Sequence, residues 1–287
     1  MRPKNLKSKI FLDSGDPKET KEIIKLLGFL DGQTTNPTLI SKNPDARRQI
    51  EQGSKFSKEE ILDFYKGVVR EISALIPQGS VSVEVYADFS TTSEDILKEG
   101  KEMFSWIPNA HIKIPITQEG LKAVEKAVKE GIRLNTTLCF NQEQAAAVYA
   151  ATKDAKKGDT FVSPFVGRLD DKGLNGMDLI SKILKMYRNG QSHVEVLTAS
   201  VRNIDHLLCA LQFGSDSVTV PFDVLKEWGK KGLPMPDEKY VYDSKDLKPI
   251  PSEDITLTKN WKDYNINHEL TNIGIERFSS DWNALIK

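Results

Sequence analysis

The sequence predicts an α/β fold, a single closed (β/α)8 TIM barrel, on three observations. Eight short β-rich segments alternate with helical patterns along the chain, no GxGxxG follows any of them, and a length of 287 residues suits one barrel domain spanning 1–287. An open parallel sheet is the alternative; eight strands with helical crossovers favour closure.

The first strand is read at 10–14 (IFLDS), the second at 30–36 (LDGQTTN), the third at 81–86 (VSVEVY) and the fourth at 111–115 (HIKIP). The fifth follows at 132–138 (IRLNTTL), the sixth at 160–165 (TFVSPF), the seventh at 195–200 (EVLTAS) and the eighth at 217–221 (SVTVP). Between them, residues 57–76 place Ile61, Tyr65, Val68, Ile72 and Leu75 at the three- and four-residue spacing of a helix. Residues 118–130, 142–152, 174–187 and 203–213 behave alike. Two additions extend the minimal barrel. The connection 37–80 holds at least one extra helix after the second strand, and 237–287 continues past the eighth. That tail is irregular through DSKDLKPIPSED and then suggests a closing amphipathic helix with Ile273, Ile275, Phe278, Trp282 and Leu285.

Composition narrows the functions. Forty Lys plus Arg against 41 Asp plus Glu leave a net charge of −1, which argues against an extended nucleic-acid footprint. Cys139 and Cys209 lack metal-ligand spacing and read as packed thiols in a reducing compartment. The apolar run at Ile10, Phe11 and Leu12 is too short for a signal-peptide core, and no stretch approaches the ~20 apolar residues of a membrane helix. A cytoplasmic protein without membrane or nucleic-acid partners is expected.

Successive strand residues face opposite sides of a sheet, so parity sorts each strand. In VSVEVY, Val81, Val83 and Val85 suit the helix layer, which turns Glu84 into the barrel. In HIKIP, Ile112 and Ile114 take the helix side, and Lys113 points inward with His111 below it. The same rule turns Phe11 and Asp13, Thr34 and Asn36, Asn135 and Thr137, and Ser163 and Phe165 inward. On the seventh strand it selects Thr198, Ser200 and, just beyond, Arg202. These sets are polar at the C-terminal strand ends, where barrel active sites sit.

Each residue alone has a structural reading. A strand lysine snorkels or pairs, a strand aspartate caps a turn, Asn before Pro in TTNPT makes an Asx-turn, and Arg168 pairs with Asp170 or Asp171. Together they are costly to bury without a function. For Lys113, lost solvation favours the neutral amine, which can attack a carbonyl to form a Schiff base, while Asp13 and Glu84 favour the ammonium; sequence leaves that balance open. The two carboxylates are candidates for proton shuttling. Arg168 and Arg202, at the ends of strands six and seven, suit a phosphate group. Adjacent Asp170 and Asp171 form a poor ligand set, so no metal is expected. His193 and His206 fall at loop or helix-face positions, and Cys139 shares the parity of Asn135 and Thr137.

FLDS, TTNPTLI, VEV, IKIP, N-x-T-L-x-F followed by QA, SPFVGR and ASVRN occur in order, one on each of the first seven strands, with RFSSDW near the end. In these motifs the chain resembles the transaldolase family over nearly its whole length. The resemblance implies a barrel enzyme of sugar phosphates that works through a lysine Schiff base without metal or organic cofactor. Lys113 matches the Schiff-base lysine, Asp13 the acid/base of cleavage, and Glu84 with Thr137 the pair that holds a catalytic water. Asn36, Asn135 and Ser163 match positions that hold the bound three-carbon unit and Phe165 an active-site aromatic, Thr34 joining the substrate-binding set on its inward parity; Arg168, Ser200 and Arg202 match the phosphate site. The implied reaction moves a dihydroxyacetone unit from sedoheptulose 7-phosphate or fructose 6-phosphate to glyceraldehyde 3-phosphate or erythrose 4-phosphate, a step of the non-oxidative pentose phosphate pathway. The alternatives are a fructose-6-phosphate aldolase, which releases dihydroxyacetone, and a non-catalytic sugar-phosphate binding protein. The aldolase group usually carries glutamine in place of Glu84 and tyrosine in place of Phe165, so both residues favour transfer. Sugar phosphates are the expected partners, and homo-oligomerisation is left open.

Overall fold

A computed structural model describes residues 2–287. Its strands β1 (Lys9–Asp13), β2 (Gly32–Thr34), β3 (Ser80–Glu84), β4 (Ala110–Pro115), β5 (Leu134–Cys139), β6 (Thr160–Pro164), β7 (Glu195–Thr198) and β8 (Ser217–Pro221) form a closed parallel barrel in chain order. The expected fold class is therefore observed. The crossovers are α1 (Pro17–Leu27), the trio α2 (Pro37–Ser41), α3 (Pro44–Glu51) and α4 (Lys58–Leu75), then α5 (Ser93–Phe104), α6 (Gln118–Lys129) and α7 (Gln142–Ala151). After β6 come α8 (Val166–Asp170) and α9 (Gly176–Asn189), then α10 (Ile204–Phe213), α11 (Phe222–Lys230) and, at the end of the tail, α12 (Glu269–Asn283).

Local chemistry starts these helices where they start. Ser57 and Glu60 form a capping box on α4, Thr92 and Asp95 another on α5, and Thr117, Asn141 and Asn203 cap α6, α7 and α10. Each cap satisfies an amide that the helix itself leaves unpaired. The main core fills the layer between sheet and helices, with Ile10, Leu12, Val81, Val83, Ile112 and Ile114 on the outer sheet face. A smaller cluster of Phe11, Phe161 and Leu197 plugs the barrel interior, with the two phenylalanine rings edge to face at 5.9 Å.

Strand register sets the height of the inward groups. Lys113 lies beside Glu84 on β3 and Asn135 on β5, and Asp13 beside Thr34 on β2, so these side chains share one end of the barrel. One departure from the expected parity occurs. On β7 it is Leu197 that faces inward, while Thr198 bonds Ser215 at 2.8 Å on the outer side. Ser200 nevertheless reaches the interior, because its φ of 59° breaks the strand alternation. The second strand is also shorter than expected: Thr35 and Asn36 have left the sheet, and Asn36 Oδ1 caps α2 by accepting from Leu39 N at 2.9 Å.

The tail wraps the barrel before it closes it. Gln142 Nε2 donates to Pro251 O at 3.0 Å and Gln144 Nε2 to Ile266 O at 3.0 Å, which anchors the irregular stretch to α7. The α12 helix then lies over the C-terminal end of the strands. Thr271 Oγ1 donates to Leu138 O at 2.9 Å, Thr38 of α2 bonds Asp281, and Lys287 N donates to Phe56 O at 3.0 Å. Phe278 and Trp282 are buried in this seam as expected, whereas Ile273 is exposed and Leu285 packs just beyond the helix.

Candidate active site

A cavity of about 270 Å³ opens at the C-terminal end of the strands, lined by Asp13, Thr34, Asn36, Lys113, Ser163 and Phe165 and by Arg168, Ser200 and Arg202. Nine of the twelve residues anticipated from sequence thus border one space. The other three, Glu84, Asn135 and Thr137, are fully buried behind that lining.

At its floor, Lys113 Nζ stands 2.9 Å from Glu84 Oε2, with the two side chains 4% and 1% exposed. The lysine also donates to Thr35 O at 3.4 Å. Glu84 Oε2 has the lysine as ion-pair partner but no aligned hydrogen bond, so the contact is one of charge and proximity. Burial raises the Glu84 carboxyl above its usual range, against the attraction of Lys113; the charge of Asp13 adds to the rise. Asp13, deep in the protein although it borders the cavity, is raised for the same reason, opposed by Lys113, by Thr34 and by the field of Lys42. Two carboxylates biased toward holding a proton therefore flank one buried amine, and the three titrate as a group. Tyr65 fixes this geometry from behind: its hydroxyl pairs with Thr35 Oγ1 at 2.5 Å and accepts from the Glu84 amide at 2.9 Å.

The walls are hydroxyls and amides. Thr34 Oγ1 donates to Asp13 Oδ1 at 2.6 Å and also contacts Thr219 Oγ1 at 2.5 Å. Ser163 Oγ donates to Asn135 Oδ1 at 2.6 Å, and Asn135 Nδ2 donates to Ser82 Oγ at 3.0 Å, so Asn135 acts on the cavity by orienting Ser163. Thr137 Oγ1 is buried with no hydrogen-bond partner among the described residues. A bulge at Leu138, with φ of 60°, shifts the register of β5 against β6 just beyond it.

The opposite wall is cationic. Arg168 is held between the rings of Phe165 and Phe278, 5.4 Å from each, and its buried Nη1 has no partner. Burial weakens its hold on its proton, and the charges of Arg277 and Arg202 push the same way. The structural alternative for Arg168, pairing with Asp170 or Asp171, does not form: Asp171 takes Arg202 at 2.9 Å, and Asp170 takes His206 at 2.9 Å. Close packing requires glycine here. A Cβ on Gly167 would collide with Arg202 Nε and the Ser200 carbonyl, and one on Gly274 of α12 would lie 2.9 Å from Arg168 Nη1. Three guanidinium groups converging on one cavity repel one another, and an anion relieves that cost.

Several groups in this site were not singled out from sequence. Arg277 and Phe278 arrive on α12, Lys42 at the end of α2, Thr219 on β8 and Tyr65 from α4. Strand parity applied to SVTVP would have found Thr219; nothing local marks Arg277, whose role depends on where the tail folds back. Cys139 stays outside the chemistry: its thiol donates to Asn141 O at 3.5 Å, and burial pushes its pKa up to about 12. Among the described residues no His, Cys, Asp and Glu cluster has metal-binding geometry, and no helix is long and apolar enough to cross a membrane.

A larger cavity of about 590 Å³ lies at the other end of the barrel, beside Lys9, His111 and Arg133. Its charged groups and its histidine are already committed. His111, pushed down to about 3 by burial, bonds Ser80 Oγ at 2.7 Å and Gly158 O at 3.2 Å, Lys9 pairs with Glu195 at 3.0 Å, and Arg133 binds the carbonyls of Ala110 and Pro108. The smaller cavity is therefore the candidate active site.

Known proteins place this chain in a family. The model of the family Transaldolase/Fructose-6-phosphate aldolase matches residues 10–287. The probable transaldolase of Dehalococcoides mccartyi is 36% identical over 279 residues, covering 97% of this chain and 100% of that protein. That of Methanococcus vannielii is 38% identical, covering 97% and 99%, and that of Thermoplasma volcanium 43% identical, covering 76% and 86%. The matched region carries the buried lysine, both carboxylates and all three arginines: the chain belongs to the transaldolase/fructose-6-phosphate aldolase family and is an enzyme of the transaldolase type.

Proposed function

We propose that the protein transfers a dihydroxyacetone unit from a ketose phosphate, such as fructose 6-phosphate or sedoheptulose 7-phosphate, to an aldose phosphate, such as erythrose 4-phosphate or glyceraldehyde 3-phosphate. The observation that carries this reading is Lys113, a buried amine 2.9 Å from a carboxylate at the floor of a cavity whose far wall is cationic. With its proton passed to Glu84, the amine attacks the ketose carbonyl carbon. The resulting carbinolamine loses its hydroxyl as water on protonation, through a water held by Glu84 and Thr137, and a protonated Schiff base remains. Asp13 then takes the proton of the hydroxyl two carbons from the imine carbon. The bond between that hydroxyl-bearing carbon and the carbon next to the imine breaks, its electrons moving into the iminium, so the aldose phosphate leaves with a new carbonyl and an enamine stays on Lys113. An incoming aldehyde accepts the enamine carbon while Asp13 returns the proton, and hydrolysis frees the new ketose.

In this reading Asn36 and Ser163, the latter oriented by Asn135, hold the three-carbon unit, and Phe165 walls the pocket. Arg168, Ser200, Arg202 and Arg277 take the phosphate, with Arg as the residue suited to bidentate contact. The reaction places the protein in the non-oxidative pentose phosphate pathway.

Incubation with fructose 6-phosphate, with and without erythrose 4-phosphate, tests the reading through coupled measurement of released glyceraldehyde 3-phosphate. Steady release only with acceptor present is expected, because the three-carbon unit stays on Lys113 until an aldehyde takes it. Steady release without acceptor would make the protein an aldolase and overturn transfer. Borohydride should fix the three-carbon unit on Lys113, and a label on any other residue would overturn the mechanism.

A further inference from the structure

His206 is the one buried histidine at the catalytic end of the barrel that the mechanism does not use. Its side chain is 4% exposed, and its two ring nitrogens face different elements. Nε2 lies 2.9 Å from Asp170 Oδ2 at the end of α8, and Nδ1 accepts from the Arg202 amide at 3.3 Å in the loop after β7. An acceptor at Nδ1 is unprotonated, so Nε2 carries the hydrogen that Asp170 receives. Asp170 is itself fixed, because its Oδ1 accepts from the Gly176 amide at 2.9 Å. His206 is held at its own backbone, where its amide donates to Asn203 Oδ1 at 2.8 Å.

We propose that His206 is a positioning residue of the anion site: by linking Asp170 on α8 to the Arg202 amide, it sets the spacing between the guanidinium groups of Arg168 and Arg202. The two segments already meet through Val166 N to Ala199 O and Gly167 N to Ser200 O, both 3.0 Å, but these bonds stop short of Arg202. Beyond Ser200, whose φ of 59° turns the chain, the hydrogen bond to the His206 ring is the one among the described residues that ties the Arg202 backbone toward α8. The arginine side chain itself ends on exposed Asp171, a contact that solvent screens. The proposal rests on reading this cavity wall as the phosphate site.

The test compares the full-length wild type with His206→Leu, His206→Asn and Arg202→Gln, measuring kcat and KM for fructose 6-phosphate with erythrose 4-phosphate and the inhibition constant for inorganic phosphate. His206→Leu should raise KM and the phosphate inhibition constant together by about tenfold, the factor one lost hydrogen bond can carry, with kcat within about twofold of wild type. His206→Asn, whose amide oxygen can still accept from the Arg202 amide, should shift both constants less, and it carries the test if the leucine variant does not fold. A fall in kcat with the phosphate constant unmoved, or equal shifts in both variants, would overturn positioning. If Arg202→Gln raises the phosphate constant and neither His206 variant does, only the positioning role fails. If Arg202→Gln also leaves it unchanged, the reading of the phosphate site fails with it.

Discussion

The two mouths of the barrel are built from the same alternation of inward and outward residues, yet they differ in what their polar groups are doing. At the N-terminal mouth, Phe11, Phe161 and Leu197 fill the interior and His111 stacks on Phe161 at 4.4 Å with both ring nitrogens bonded. At the C-terminal mouth, Thr137 Oγ1 and Arg168 Nη1 have no partner and Glu84 Oε2 has only an unaligned ion pair. Thr160 Oγ1 and Ser217 Oγ at the N-terminal strand ends are unpartnered too, but they are neutral hydroxyls, whereas the C-terminal mouth leaves an acid and a cation short of partners, a larger cost that a bound substrate or transition state can offset. That contrast assigns the larger cavity to the structural end and makes the smaller one the candidate chemical end.

Lys113→Met gives the largest effect and tests the chemical end directly. It removes the amine that the proposed mechanism uses as nucleophile while keeping most of the side chain's volume, so activity should fall by about a thousandfold or more in the coupled assay. Removing one partner of a buried ion pair ordinarily destabilises strongly. Here Glu84 and Asp13 already lean toward their protonated forms, so they can neutralise and the melting temperature should move little. Residual activity above a few per cent would remove Lys113 from the mechanism, and loss of the folded state would make it a structural residue.

Phe161→Ala probes the opposite mouth. It empties a fully buried position against Phe11 and His111 and should cost about 3–5 kcal/mol of unfolding free energy, read by denaturant titration, with kcat and KM within about twofold at a temperature where the variant is folded. A variant of unchanged stability with a collapsed kcat would break the division between the two ends.

Most of this division is legible in the sequence, because parallel strands put valine and isoleucine on the helix side and leave residues such as Glu84 and Lys113 nowhere to point but inward. Parity failed at Thr198 because the seventh strand is short and mixed in character, and Ser200 recovered its place only through a left-handed backbone that sequence does not announce. Asn36 combines both readings, since it caps α2 and lines the cavity. Arg277 and Phe278 could not be placed by any local pattern. They stand more than 50 residues beyond β8, and only the docking of α12 on α2 and β5, through Asp281 and Thr271, brings them over the mouth.

The smallest expected effect separates titration within the site from titration beside it. Glu99 of α5 lies outside the cavity lining, accepts one bond from Tyr86 N at 3.1 Å, and is raised by burial to about 7. A carboxyl raised in the folded state holds a proton that the unfolded chain has released. Its contribution to stability is therefore present below the ordinary value of 4.5 and is lost as pH rises through about 7. Glu99→Gln keeps an acceptor for Tyr86 N but cannot ionise. It should match wild type near pH 4 and exceed it above pH 7 by about 1–2 kcal/mol, the linkage value discounted for the partial exposure of the group. The acid limb of the rate profile, assigned to Asp13 and Glu84 as a coupled pair in the proposed mechanism, should stay where it is. A variant that moves that limb would show that charge on α5 reaches the reacting groups, and the boundary of the chemical end would then have to include it.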